Sequence, residues 1–277
     1  MKIGTKQRLI DAIVSIIAIG LGLIVVFPVI YCVLSAFKTP AEFMSPKLLP
    51  NSFLYLENFK NALNKAPLFR YMLNSLVMAF SGTLVRLLVS VSTAYVLTHY
   101  DFKLKNFCFL FVLGTMMIPS DTLLVTNYQT VSKMGLLNSY LGMIIVSFVS
   151  ASQMFMLRQK FLVIPQDLWC AAMLDGCGDL RYIFNVLLPI CKPTLTTLFV
   201  QSFISMWNAY LWPLIVTASS PDMRTVMVGI TKLNSWESTN YELVLAGVTL
   251  SLIPSFILFM IMRRNMTKGG TDGALVG

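Results

Sequence analysis

Six stretches of this chain are too long and too apolar to be ordinary helices of a water-soluble protein. They run near Ala12–Phe37, Met72–Leu97, Phe107–Val125, Leu141–Leu157, Leu195–Thr217 and Leu243–Met262. A helix rises ~1.5 Å per residue, so about 20 apolar residues cross the ~30 Å hydrocarbon layer of a bilayer. Each stretch approaches or exceeds that length. Soluble domains carry roughly 25% charged residues. Here 12% are charged and 56% hydrophobic. These features predict an all-α polytopic membrane protein with six transmembrane helices. Pro28, Pro119, Pro213 and Pro254 fall inside or at the ends of the stretches. Membrane helices tolerate proline because neighbouring groups satisfy the freed carbonyls.

The N-terminus begins like a signal peptide, with Lys2, Lys6 and Arg8 ahead of an apolar run. That run outlasts the ~7–15 residues of a signal core and meets no small-residue cleavage site, so it reads as a retained first span. With the N-terminus inside, twelve Lys and Arg lie in inner segments and eight in outer ones, and Arg86 lies within a span. Five of the outer eight share one loop, Lys38–Tyr71. The positive-inside rule therefore places both termini in the cytoplasm. The net charge of +9 follows the ends of the apolar blocks and forms no basic stripe. It fits lipid headgroups, and no nucleic-acid partner is expected. Cys32, Cys108, Cys170, Cys177 and Cys191 have no zinc or disulfide spacing, and His99 is the only histidine. No metal site, catalytic site or enzymatic activity is expected.

Two hydrophilic segments are long. One is the outer loop Lys38–Tyr71. The other is the inner segment 158–193, which contains FLVIPQDLWCAAMLDGCGDLRYIFNVLLPICKP. Pro165 can open a helix, and Asp167 suits its positive end. Gly176 and Gly178 stop that helix about three turns later. A second helical stretch, Leu180–Leu188, is expected to end at Pro189. The product is a short helix outside the membrane that presents the small residues Ala171, Ala172 and Gly176 to another protein.

This segment resembles the EAA loop of binding-protein-dependent ABC importer permease subunits. Ala171 and Ala172 match, Gly176 is in register, and Val186, Leu188 and Pro189 close the pattern. Asp175–Gly176 matches the Asp-Gly pair of the carbohydrate branch. Cys170 stands where that family has Glu, which leaves the implied docking surface but weakens one ion pair that the resemblance predicts with the ATPase. Exposed pairs are worth only ~0–1 kcal/mol. Further matching stretches are Ser35–Phe37–Lys38, Glu57–Asn58–Phe59, Asn74–Ser75, Ala94–Tyr95 with Phe102, Trp207–Asn208, Leu211–Pro213–Leu214 and Ile253–Pro254. A Gly270-x-x-Gly273–Ala274 tail ends at Gly277, with Val276 where Lys is usual. Together they are similar to the smaller permease of maltose and glycerol-3-phosphate transporters.

The resemblance implies one permease domain over residues 1–277 with the type I ABC importer permease fold, its core spans in 72–262. It also implies a second homologous permease, two ATPase subunits and an extracytoplasmic solute-binding protein. ATP and Mg would be held by the ATPase partners. Cys170, Ala171, Ala172, Asp175 and Gly176 would form the ATPase-coupling surface, and the tail Gly273–Gly277 would reach towards the ATPase interface. The function implied is sugar or oligosaccharide import by alternating access. The alternatives are glycerol-3-phosphate import by the same machinery or an ion-coupled secondary transporter.

Charges inside spans are costly and usually face a bundle interior or a cavity. Arg86 and Asp121 therefore line a substrate path, form a structural ion pair or snorkel from the end of a span. Gln201 and Asn208 either meet substrate hydroxyls or bond between helices. Trp207 offers a sugar-stacking face or simple packing, and Trp212 either packs or anchors at the interface.

Overall fold

A computed structural model describes residues 5–45, 47–234 and 240–271. Among the described residues all regular structure is helical, in the order α1 (Thr5–Ser35), α2 (Pro40–Phe43), α3 (Glu57–Lys65), α4 (Leu68–His99), α5 (Lys105–Thr115), α6 (Leu124–Lys133), α7 (Tyr140–Ile144), α8 (Ala151–Leu162), α9 (Gln166–Leu174), α10 (Asp179–Tyr182), α11 (Leu188–Ile190), α12 (Lys192–Trp207), α13 (Leu211–Val216), α14 (Val226–Thr231) and α15 (Tyr241–Thr271). The chain divides into two compact units, Met1–Leu68 with Gly229–Leu252, and Phe69–Val228 with Ile253–Gly277. The C-terminal tail motif from Asp272 onward lies outside the described residues.

Among the described residues three helices are long and apolar enough to cross a bilayer unaided, Ile10–Ser35, Leu68–His99 and Tyr241–Met266. They contain the expected second and sixth stretches whole and the first up to Ser35, leaving Ala36 and Phe37 beyond the helix. α1 exposes Ile16, Ile24 and Val25 on different faces, which suits an apolar solvent. The three middle stretches differ from the uninterrupted helices expected of them. The third breaks after α5, where the amides of Met116, Met117 and Ile118 make tight i→i−3 bonds before Pro119. The fourth is the helical run Tyr140–Ser147, which includes α7, followed by α8 at a bend of 53°. Ser150 makes the break by capping α8, its hydroxyl accepting from the Gln153 amide. In the fifth, α12 ends at Trp207 and α13 restarts at Leu211. Pro213 has no N–H to give residue 209, and its ring would clash with that carbonyl in a continuous helix.

In the first unit, the resemblance stretches form a clamp. The Asn58 side-chain amide is buried and donates to the carbonyls of Ala36 (2.9 Å) and Lys38 (2.8 Å). Phe59 packs on Phe37, their ring centroids 5.1 Å apart. Thr39 and Glu42 form a reciprocal capping box at α2.

In the second unit, Asn74 does similar work. Its amide donates to the carbonyls of Asp222 (2.8 Å) and Arg224 (2.9 Å), and its oxygen accepts from the Tyr140 hydroxyl (2.6 Å). Neighbouring Ser75 accepts from the Val226 amide at 2.8 Å. Below them, Met78, Met143, Ile144 and Val216 form one apolar core. A larger core gathers Val91, Tyr95, Leu97, Leu157, Phe161, Tyr182, Leu187 and Leu198.

The stretch expected to stop at Pro189 continues to Ile190. A π turn at Ile183–Leu187 precedes the proline. Widening the helix there relieves the missing N–H and the ring clash that proline brings. The run Asp179–Ile190 then meets α12 at 87°.

Candidate functional site

Helix α9 begins directly after Pro165, whose φ of −56° and ψ of 130° hold the chain extended before the first turn. Asp167 lies in that turn, where a carboxylate is favoured by the helix dipole. The helix closes with a Schellman motif. The Gly176 amide donates to Met173 O (3.0 Å), and the Cys177 amide donates to Ala172 O (2.9 Å). Gly176 has φ +70°, the left-handed conformation this cap requires. Trp169, Ala172 and Met173 pack inward on the larger core. Cys170, Ala171, Asp175 and Gly176 are exposed. Of the five residues expected on the outward surface, Ala172 is thus half-buried. Leu174, not expected there, is 88% exposed. The signal was present in its spacing, since it lies four residues after Cys170 and three after Ala171.

The inward face of α9 meets the end of α4 in a polar node. Trp169 Nε1–H donates to the Tyr95 hydroxyl at 3.1 Å. Tyr95 in turn donates to Asp179 Oδ1 at 2.6 Å, and Tyr100 donates to Asp179 Oδ2 at 2.5 Å. The Tyr95 and His99 rings stack 4.6 Å apart. The hydrogen bonds from Tyr100 and then Tyr95 hold the Asp179 carboxyl below the usual carboxylate range. The same bond raises the Tyr100 phenol, whose proton is committed to Asp179. In the sequence Tyr95 stands out only as part of a matching pair, and Asp179 carries no signal of its own.

A cavity of about 340 Å³ lies among α4, the Ser120–Leu123 turn, α6, α12 and α13. Arg86 and Asp121 both line it, with Asn127, Ser205 and Trp212 among the other walls. Arg86 Nε donates to Ser147 O at 2.7 Å. Among the described residues no ion pair joins Arg86 to Asp121. Trp212 Nε1–H is anchored on Met143 O at 3.1 Å. Trp207 is 2% exposed, stacked on Phe203 in the packed interior and away from the cavity wall. Gln201 and Asn208 are exposed and also lie off that wall. Asn127 and Ser205 were not expected. Asn127 lies on α6, past the break at Pro119, and Ser205 lies within α12, four residues after Gln201.

Residues 86–268 match the family model described as binding-protein-dependent transport system inner membrane component. The chain belongs to this family of inner-membrane ABC importer permeases and is a transport component. It is 33% identical over 261 residues to the arabinooligosaccharides transport system permease protein AraQ of Halalkalibacterium halodurans, covering 93% of each chain. It is 32% identical over 277 residues to the sn-glycerol-3-phosphate transport system permease protein UgpE of Yersinia pestis, covering 96% of this chain and 98% of that one. The fold is also that of a chain in the crystal structure of a bacterial ABC transporter importing the acidic polysaccharide alginate. That match has a TM-score of 0.81 at 19% identity and covers 95% of this chain and 99% of the other. Membership gives no support to the ion-coupled alternative.

Proposed function

We propose that this chain is one permease of an ATP-driven saccharide importer, coupled to its ATPase through α9. The observation that carries this reading is the short exposed helix closed by Gly176, in register with the family's coupling loop and rooted on the end of α4. The outward side of Cys170, Ala171, Leu174 and Asp175 would seat in an ATPase cleft, with shape replacing the charge of the usual glutamate. Closure of two ATPase subunits on ATP and Mg would then drive alternating access. A second, homologous permease would supply the other half of the pathway, and an external binding protein would deliver the cargo. The clustering of Lys103, Lys105 and Arg158 around one pocket supports an orientation with both termini in the cytoplasm.

The cavity suits a saccharide because it combines several hydrogen-bonding groups with the fixed indole of Trp212. Arg86 and Asp121 are proposed as path-lining residues. Gln201, Trp207 and Asn208, off that wall here, are proposed to meet cargo elsewhere along the path. Glycerol-3-phosphate is a second reading, favoured by the half-buried Arg86 cation and by the relatives named for that cargo. Deleting Leu168–Gly178 should leave the protein in the membrane and abolish co-purification of the ATPase. Normal uptake after that deletion would end the proposal.

A further inference from the structure

We infer that Asp179 is a positioning residue that latches the exposed helix α9 to α4, so that movement of α9 is carried to the cavity wall. The inference rests on the proposed docking of an ATPase at α9. The link between α9 and α10 is only Asp175–Gly178 and contains two glycines. Such a link can absorb a displacement by changing its own backbone angles. The node around Asp179 removes that freedom. Trp169 of α9 donates to Tyr95 of α4, and Tyr95 donates onward to Asp179 at the start of α10. Tyr100, just beyond α4, closes a second bond on the other carboxylate oxygen. The carboxylate thus fixes the start of α10 to Tyr95 and Tyr100, and the Tyr95 hydroxyl that it orients receives the bond from Trp169 of α9. Hydrogen bonds to an ionised acceptor are among the stronger and more directional ones.

The end of α4 is held from another side as well. Arg158 Nε of α8 donates to Leu97 O at 3.4 Å, and its guanidinium covers Phe109 of α5 at 4.0 Å. Tyr95 lies nine residues from Arg86 on the same continuous helix, about 14 Å along its axis. A helix of that length moves as a rigid rod. The latch thus gives a displacement at Trp169 a continuous, hydrogen-bonded route to Arg86.

The test uses the permease complex purified from its own membranes into nanodiscs. Asp179→Ala and the double variant Tyr95→Phe/Tyr100→Phe are each combined with Ser205→Cys. The probe is a membrane-impermeant maleimide, and its rate at residue 205 is read by mass spectrometry with and without ATP plus vanadate. ADP–vanadate retained per complex reports ATPase closure. We expect both variants to keep the ATPase and trap nucleotide as the parent does. Their ATP-dependent change in labelling should shrink by roughly 2- to 30-fold, the range that mutations along a coupling route produce. A full labelling change in both variants overturns the latch. Loss of the ATPase subunit from them also overturns it, because Asp179 would then serve docking and not transmission. If labelling in the parent ignores ATP, the importer reading itself falls.

Discussion

Gly176→Ala separates the role of the α9 cap from mere stability, because the fold contains its own control. Gly176 and Gly135 both have φ +70°, and both close a helix with the same pair of bonds. At Gly135 the amide donates to Ser132 O (2.9 Å), and the Leu136 amide donates to Val131 O (3.1 Å). A Cβ added at either glycine would meet nothing within 4 Å. The cost of alanine is therefore purely conformational, about 1–2 kcal/mol for a left-handed L-residue. That is roughly a 5- to 30-fold loss in occupancy of the capped state. Both substitutions should lower thermal stability alike, and each should speed amide exchange at its own cap by that factor. Only Gly176→Ala should reduce ATPase co-purification and ATP-driven uptake. Gly176→Asn should recover part of the loss, since asparagine tolerates this conformation and Asn138 already adopts φ 54° in this chain. Equal functional loss in Gly135→Ala would refute the reasoning, because a general loss of stability would then explain both.

Asn74→Ala should destabilise the second unit by about 2–4 kcal/mol, since it strands two carbonyls and the Tyr140 hydroxyl. Thermal unfolding in detergent would show this, and a loss under ~1 kcal/mol would mean that water replaces all three partners. Alkylation should rank the cysteines of the inner segment, with exposed Cys170 first and Cys191 last. Burial pushes the Cys191 thiol up to about 11, so little thiolate is present at neutral pH. Bound ATPase should protect Cys170, and mass spectrometry of labelled peptides would read both effects.

The membrane class was legible because a bilayer imposes a length and a polarity that few other environments require. The position of α9 was legible too, since Pro165 and Gly176 act through backbone geometry that any side-chain context must obey. The broken middle stretches were not. Pro119 and Pro213 marked the right places, but a proline in a membrane helix is compatible with either a kink or a break. Which occurs depends on neighbours that only the fold assembles, and the fourth stretch, which has no proline, breaks at the Ser150 cap. Arg86 and Asp121 were identifiable because charge in an apolar stretch needs a reason, whereas Asn127 and Ser205 carry no such cost. Asp179 was hidden for the opposite reason: an acidic residue after a glycine in a hydrophilic loop is ordinary until two tyrosines are seen to converge on it.

The right-angle junction at Cys191 has a mechanical consequence. Its backbone is bonded on both sides, Cys191 N to Leu187 O at 3.0 Å and Leu195 N to Cys191 O at 2.9 Å. In the proposed importer the two arms, Asp179–Ile190 and α12, would work as a bell crank about this elbow. The 16-residue second arm is about 24 Å long, so a tilt of about 5° at the elbow sweeps its far end through about 2 Å. That far end carries Ser205 and Met206 on the cavity wall. In the proposed importer, a small sideways shove on the first arm would thereby be geared up into a change of bore.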